Sequence, residues 1–416
     1  MQPNPKKLLL RPGRDRSLLE GHPWLFSGAI ESIEGDPAAG DTVEIVNHRK
    51  RWLARAAFSP NSRIAARVWT FDPDQAIDDE FLVARLTEAA GRRRNLSSDP
   101  RVTAYREVHA ESDLLPGIII DRYGDYRVLQ LLTPGAERLR DALVAALTIE
   151  PGLRGLYERS DAEIRELEGL QARTGPLWGD PPDPATIIRE YDLSFEVDLP
   201  HGHKTGFYLD QRENRRRVAE TLRAEEVLDA FSYTGGFAAA ALRSGAGHVV
   251  SIEASEGSIE LGRRNIDRNG FPPTSVDWIQ GDVFRELRSL RDRGRSFDAV
   301  ILDPPRFAPT VSQVQRAARG YKDINLLALK LLVPGGCLYT FSCSGGVSPD
   351  LFEKIVAGAA KDAGVHVAIE GWLDQPEDHP VGAHFPEGRY LKGLVGRRGQ
   401  ARWYPAAPSK DPSDPD

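Results

Sequence analysis

Cysteine is almost absent: 416 residues hold two, Cys337 and Cys343. Two cysteines cannot build a disulfide framework. Placed six residues apart in one extended strand, their Cα atoms would lie roughly 20 Å apart, beyond the reach of a bridge. Both are expected to be free thiols. Long apolar runs are missing too, since no stretch reaches the roughly 18 residues that cross a bilayer. The opening "MQPNPKKLLLRPGRD" has three leucines where a signal peptide needs a longer apolar segment. A cytoplasmic protein with no membrane partner is expected. No GxxxxGK[ST] phosphate loop occurs, and no internal repeat. Positive charge is in deficit: a net charge of -7 argues against indiscriminate nucleic-acid binding, though it leaves room for a local basic surface.

What is present is an ordinary globular composition, 40% hydrophobic and 28% charged, in a chain long enough for two or three domains. Residues 8 to 71 read as short alternating segments, "DTVEIV", "WLARAAF" and "IAARVWT", separated by the turns "EGDPAAGD" and "SPNS". A helix is expected over 79–94, then two strands in "GIIIDRYGDYRVLQLL", a helix in "ERLRDALVAAL" and a strand at "GLYERSD". The Pro/Gly-rich "RTGPLWGDPPDP" looks like a boundary loop. From about 196 the pattern becomes strand, helix, strand, helix. Continuous apolar strands ("EVLDAF", "HVVSIEA", "VDWIQGD", "FDAVILDPP", "CLYTFSC") imply a parallel sheet covered on both faces. The fold class is α/β, with a small all-β domain at 1–75, a central α+β domain at 76–195, a doubly wound domain at 196–400 and a disordered tail at 401–416.

Four acids end consecutive strands: Asp229 before "FSYTGG", Glu253, Asp282 in "QGDVF" and Asp303 in "LDPPRF". All four face the crevice at the carboxyl edge of a doubly wound sheet, where nucleotides bind. Gly235 and Gly236 let backbone approach a ligand at the next helix N-terminus, although "FSYTGG" is not the dinucleotide fingerprint. The plain alternative is that each acid caps the following helix. A row of carboxylates suits a neutral nucleoside joined to a cationic group better than a pyrophosphate. S-adenosylmethionine fits that description, and here the chain resembles the class I methyltransferases.

Pro304 and Pro305 lack N–H donors and stiffen the chain after Asp303, so their carbonyls are expected to stay free for outside partners. Phe307 could stack on a planar base; a rigid turn is the alternative. Cys343 ends the strand next to the one carrying Asp303. Carbon 5 of cytosine is a weak nucleophile, and a thiolate adding to carbon 6 turns the ring into an enamine whose carbon 5 attacks a sulfonium methyl. A helix start at "SPDLFEK", with Ser348 as N-cap and Pro349 at the first position, would lower the thiol pKa slightly. The alternative for a free cysteine is a buried small hydrophobe, which fits Cys337 better.

With "HGHKTGFYLDQR", "FSYTGGF", "LDPPRF", "RGYKDINLLAL", "FSCSGG" and "PEGRYLKG", the chain resembles the bacterial large-subunit ribosomal RNA cytosine-C5 methyltransferases of the RlmI type. The resemblance spans nearly the whole chain. It implies an N-terminal PUA domain, a central α+β domain and a Rossmann-like domain that methylates one cytosine of 23S ribosomal RNA with S-adenosylmethionine. It also suggests a homodimer. On it, Cys343 is the nucleophile and Asp303 the acid beside the base, and Asp229, Tyr233, Gly235, Glu253, Asp282, Asp210 and Asp303 itself contact the cofactor. Pro304, Pro305, Phe307 and Arg212 line the substrate. Many RNA cytosine-C5 methyltransferases carry a second cysteine where this chain has Arg306, so release must work with one. A related branch methylates guanine and lacks the cysteine of "FSCSGG". Methylation of guanine or an amino group, and a non-catalytic ribosome-assembly factor, remain the alternative readings.

Locally, Asp210 and Glu213 read as a capping-box pair. His201 and His203 have no accompanying ligand cluster, so no metal is expected. Basic groups at Lys6, Lys7, Arg11, Arg14 and Arg16, at Arg49 to Arg51, at Arg92 to Arg94, at Arg212 and Arg215 to Arg217, and at Arg316, Arg319 and Lys322 could form a phosphate track. Solvated helix faces would explain many of them equally well.

Overall fold

The computed structural model describes residues 6–307 and 313–402; the expected disordered tail lies, from 403 on, outside the described residues. Two compact units emerge. The first comprises the chain up to Asp192, Glu196–Asp210 and Pro376–Gly388; the second comprises Leu193–Phe195, Gln211–Gln375 and the residues from Arg389 on.

The first unit holds a six-stranded and a five-stranded sheet. In the six-stranded sheet the order is Trp24–Phe26, Ile64–Thr70, Trp52–Phe58, Thr42–Val46, Lys7–Leu10 and Ile30–Glu34. Its inward residues, among them Leu8, Leu10, Ile45, Ala54 and Ala66, form one apolar cluster. Alternating sequence puts every second side chain on that face. The hairpin Ile118–Tyr123/Tyr126–Leu131 and the strand Gly155–Ser160 sit where the apolar runs place them. Asp78 caps the helix Asp79–Arg92, accepting from the Phe81 amide at 3.0 Å. The "boundary loop" begins instead as a strand, Arg173–Gly179, paired antiparallel to Gly155–Ser160. It is the outermost strand of its sheet, and an edge position tolerates Pro176, which has no N–H to give to a ladder.

The second unit is a seven-stranded sheet with helices. Its strands are β1 (Glu226–Ala230), β2 (His248–Glu253), β3 (Val276–Gln280), β4 (Phe297–Leu302), β5 (Leu332–Ser342), β6 (Val365–Asp374) and β7 (Lys392–Arg402). Its helices are α1 (Arg212–Thr221), α2 (Gly236–Arg243), α3 (Glu256–Arg268), α4 (Val283–Asp292), α5 (Val314–Leu331) and α6 (Pro349–Ala363). The sheet order is β3-β2-β1-β4-β5-β7-β6, and β1 to β5 pair in parallel. Both faces of these strands are covered: Leu228, Val250, Val300, Leu302 and Leu338 lie within 1% of full burial in one core with α4, α5 and α6. Burying each such side chain stabilises the fold by about 1.5–3 kcal/mol. The all-parallel expectation fails at one edge, where β7 runs antiparallel to β5 and to β6. The close β5–β7 approach needs glycine at 393, because a Cβ there would lie 2.5 Å from the Phe341 ring.

Candidate active site at the carboxyl edge of the sheet

The parallel registers bring Ala230, Ile252, Leu302 and Thr340 to one level, so the residues just beyond them share one rim. The turn after β1 is unusual. Phe231 and Tyr233 are non-glycine residues with positive φ, 65° and 47°, and Gly235 follows at 77°. Left-handed backbone costs a non-glycine residue about 1–2 kcal/mol. Here it is held by the Phe231 and Ser232 amides, which donate to the Ile252 carbonyl, and by the Tyr233 amide, which donates to Glu253 Oε2 at 3.0 Å. Gly235 is the N-cap of α2 and offers no side chain to the helix end. Strain of this kind gathers where a ligand is held.

Asp229 is 1% exposed, and neither of its carboxylate oxygens makes a well-formed hydrogen bond. Burial, reinforced by the charges of Asp303 and Glu253 and only partly offset by the Ala238 amide, pushes its pKa up to about 8. An acid so enclosed lacks a counter-charge. Glu253 accepts from the amides of Ala254 and Ser255 at 2.8 and 2.9 Å as well as from Tyr233. Of the four acids only Asp282 caps the following helix, through the Arg285 amide at 2.9 Å. Helix capping therefore does not account for the set. Asp303 accepts from Gln211 Nε2 at 2.9 Å, and Asn214 Nδ2 fixes that amide by donating to Gln211 Oε1 at 2.6 Å.

Cys343 is half-buried one residue past β5, and its Sγ meets the Pro304 carbonyl at 3.8 Å. The cysteine and the Asp-Pro-Pro segment are thus brought together. The Pro304 carbonyl, expected to stay free, faces the thiol; Pro304 is buried and Pro305 exposed. Ser348 caps α6 through the Leu351 amide at 3.2 Å, with Pro349 in its first turn. Phe307 is half-buried in an aromatic cluster, its ring centroid 4.7 Å from that of Tyr321 and 5.8 Å from that of Phe284. Cys337, inside β5, is buried, and burial pushes its thiol up to about 11. Its environment holds it protonated.

Asp210 is buried in the first unit, in the single turn Leu209–Gln211; it is not the cap of α1, because that helix starts one residue later with Gln211 at the N-cap and no side-chain bond. Arg212, Arg215 and Arg93 are between 0% and 3% exposed and offer no surface to an outside phosphate. Arg49, Lys50 and Arg51 are exposed at a turn that the Asn47 side chain braces through the amides of Arg49 and Arg51. The residues that sequence reasoning missed are Gln211 and Asn214, which orient Asp303, and Lys392, whose Nζ donates to the carbonyls of Ser344 and Val347 at 2.7 Å. Lys392 stood in "PEGRYLKG", but only the antiparallel β7 brings it beside the cysteine loop.

Comparison with known proteins agrees with this geometry. Residues 172–384 match the S-adenosylmethionine-dependent methyltransferase model and residues 8–71 match a PUA-like domain. The chain is 47% identical over 392 residues to a protein of Escherichia coli named ribosomal RNA large subunit methyltransferase I, covering 94% of this chain and 99% of that one. The protein of the same name from Cronobacter sakazakii is 47% identical over 389 residues, 94% of this chain and 98% of that one. Among solved structures, a candidate S-adenosylmethionine-dependent methyltransferase from Streptococcus mutans shares the fold, with a TM-score of 0.82 at 22% identity over 94% of this chain and 99% of that one. The enclosed Asp229, neither oxygen of which makes a well-formed hydrogen bond, is chemically suited to a cationic group such as the amine of S-adenosylmethionine. No helix among the described residues is long and apolar enough to cross a membrane.

Proposed function

This chain belongs to the ribosomal RNA large subunit methyltransferase I family of S-adenosylmethionine-dependent enzymes, and from that premise we propose that it methylates carbon 5 of a cytosine in large-subunit ribosomal RNA through a covalent adduct to Cys343. The observation that carries the reading is the half-exposed Cys343 thiol at the Asp303-Pro304 segment, 3.8 Å from the Pro304 carbonyl. Transfer to an exocyclic amine needs no such nucleophile.

When bound, S-adenosylmethionine supplies an electrophilic methyl group. The Cys343 thiolate adds to carbon 6 of the ring, and the electron pair thus made available at carbon 5 takes the methyl as its bond to sulfur breaks. Loss of the carbon 5 proton then expels the thiolate and restores the ring. On this reading Asp303, held by Gln211, meets the ring nitrogen side of the base. Asp229 balances the amine of the donor, and the Glu253 carboxylate faces its ribose. Pro305 and Phe307 flank the base; Asp210 and Arg212 enter only through the resemblance. Carbon 5 and carbon 6 of a stacked base are hard to reach, so the substrate is an unpaired, splayed-out cytosine.

The test incubates the chain with methyl-labelled S-adenosylmethionine and unmodified large-subunit ribosomal RNA, then identifies the labelled nucleoside. Label in 5-methylcytidine, lowered on the order of a thousandfold in Cys343→Ala, is expected. Label in another nucleoside, or an active variant, contradicts the reading.

A further inference from the structure

The loop after Cys343 is tied down from one side by a single buried cation. Lys392 opens β7 directly across the ladder from Ser342. Its side chain is 5% exposed, and its Nζ donates to the carbonyls of Ser344 and Val347, both at 2.7 Å. Those carbonyls belong to the four residues that follow the thiol. The loop is closed from the other side by Tyr321, whose hydroxyl lies 2.9 Å from Ser344 Oγ. A cation buried against two neutral carbonyls, with no carboxylate in its hydrogen bonds, carries a net desolvation cost. The same loop positioned by an uncharged donor would avoid that cost.

Resting on the assignment of Cys343 as nucleophile, we infer that Lys392 is a positioning residue for it: its ammonium fixes the loop that carries the thiol and supplies the nearby positive charge that favours the thiolate. The charged groups facing this site are Cys343, Arg306 and Asp374 around Lys392, with Tyr321 beside Cys343. Burial lowers Lys392 to about 8, with Arg306 adding to that and Cys343 and Asp374 working the other way. The ammonium therefore remains largely protonated at neutral pH, where the thiolate is needed. Arg306 lies against Gly345 of the same loop and adds a second cation. In this chain a cationic residue thus stands where other RNA cytosine methyltransferases carry a second cysteine.

The test is the alkylation rate of Cys343 against pH, followed by mass spectrometry of its peptide, in the full chain without RNA. Cys337, buried and with its thiol pushed up to about 11, is the unreactive internal control. In the wild type, Cys343 is expected to ionise below the ordinary value of about 8.5. In Lys392→Met the midpoint rises by about one unit and alkylation at pH 7 slows about tenfold; Lys392→Arg restores most of the rate. An unchanged midpoint in a folded Lys392→Met overturns the inference. Should that variant not fold, a wild-type midpoint at or above about 8.5 overturns it equally. Because no RNA is used, this result is separate from that of the labelled-nucleoside assay. A shifted midpoint with no 5-methylcytidine would sink the proposed function and leave the charge assignment standing.

Discussion

The two units treat a buried carboxylate in opposite ways. In the first unit three strongly enclosed acids, Asp113, Asp121 and Glu168, are met by arginine. Asp113 accepts from Arg93 at 2.7 and 2.6 Å and from the His109 amide at 2.7 Å; Asp121 accepts from Arg106 at 2.8 and 2.9 Å; Glu168 accepts from Arg67 at 2.7 and 3.0 Å. In the second unit Asp229 is as deeply enclosed, yet neither oxygen is satisfied. Burying a charge is tolerable when geometry and hydrogen bonds return the desolvation cost. The chain itself returns it for Asp113, Asp121 and Glu168, whereas for Asp229 it does not; on the proposed function, the cationic amine of the methyl donor would return it there.

The largest effect should come from breaking a filled partnership. Asp113→Ala strands the Arg93 guanidinium, itself 1% exposed, and should cost about 3–5 kcal/mol of stability, read by urea unfolding. The contrast is sharpened by Asp229→Asn, which has no arginine partner to lose. It should leave the free chain more stable by about 1–3 kcal/mol at pH 8, while lowering S-adenosylmethionine affinity at least roughly tenfold in calorimetry. Equal destabilisation by both variants would break the comparison.

The contrast also shows in the slope with pH. Asp229 is raised from 3.8 to about 8, so the folded chain holds a proton that the unfolded chain has released. The stability from this group is complete below about pH 4, falls as pH climbs to about 8, and is level beyond. Asp229→Asn should flatten that fall. Cofactor binding works in the other sense: the cationic amine favours the carboxylate, so affinity should rise with pH up to about 8.

Much of this site was legible because the sheet writes its own edges. Continuous apolar runs ending in Asp229, Glu253 and Asp303 could be read as strands whose last residues share a rim, and the one-residue overhang of Cys343 followed from the same reading. Helix α4 has its signal in the sequence as well, Asp282 followed by apolar Val283, Leu287 and Leu290. The antiparallel β6 and β7 were not legible. In β6 only Val365 and Leu373 are buried, and β7 carries Gly393, Gly396, Arg397 and Arg398, so neither shows the regular alternation that would announce a return of the chain beside β5. Lys392 was hidden for that reason, and its role depends on a register that only pairing sets. The same holds for Pro376–Gly388, which belongs to the first unit through contacts such as Arg93 with the Asp378 carbonyl at 2.9 Å. Long-range pairing of two polar segments leaves no periodicity behind. Asp210 failed as a cap because a cap is decided by where the first helical turn closes, one residue further on.

The central claim is the covalent step, and RNA carrying 5-fluorocytidine tests it most directly, because fluorine at carbon 5 cannot leave as a proton does. With S-adenosylmethionine present, the account predicts a stable protein–RNA adduct that maps to the Cys343 peptide and is absent in Cys343→Ala. No adduct at saturating cofactor, from a chain that still methylates unmodified RNA, would contradict it.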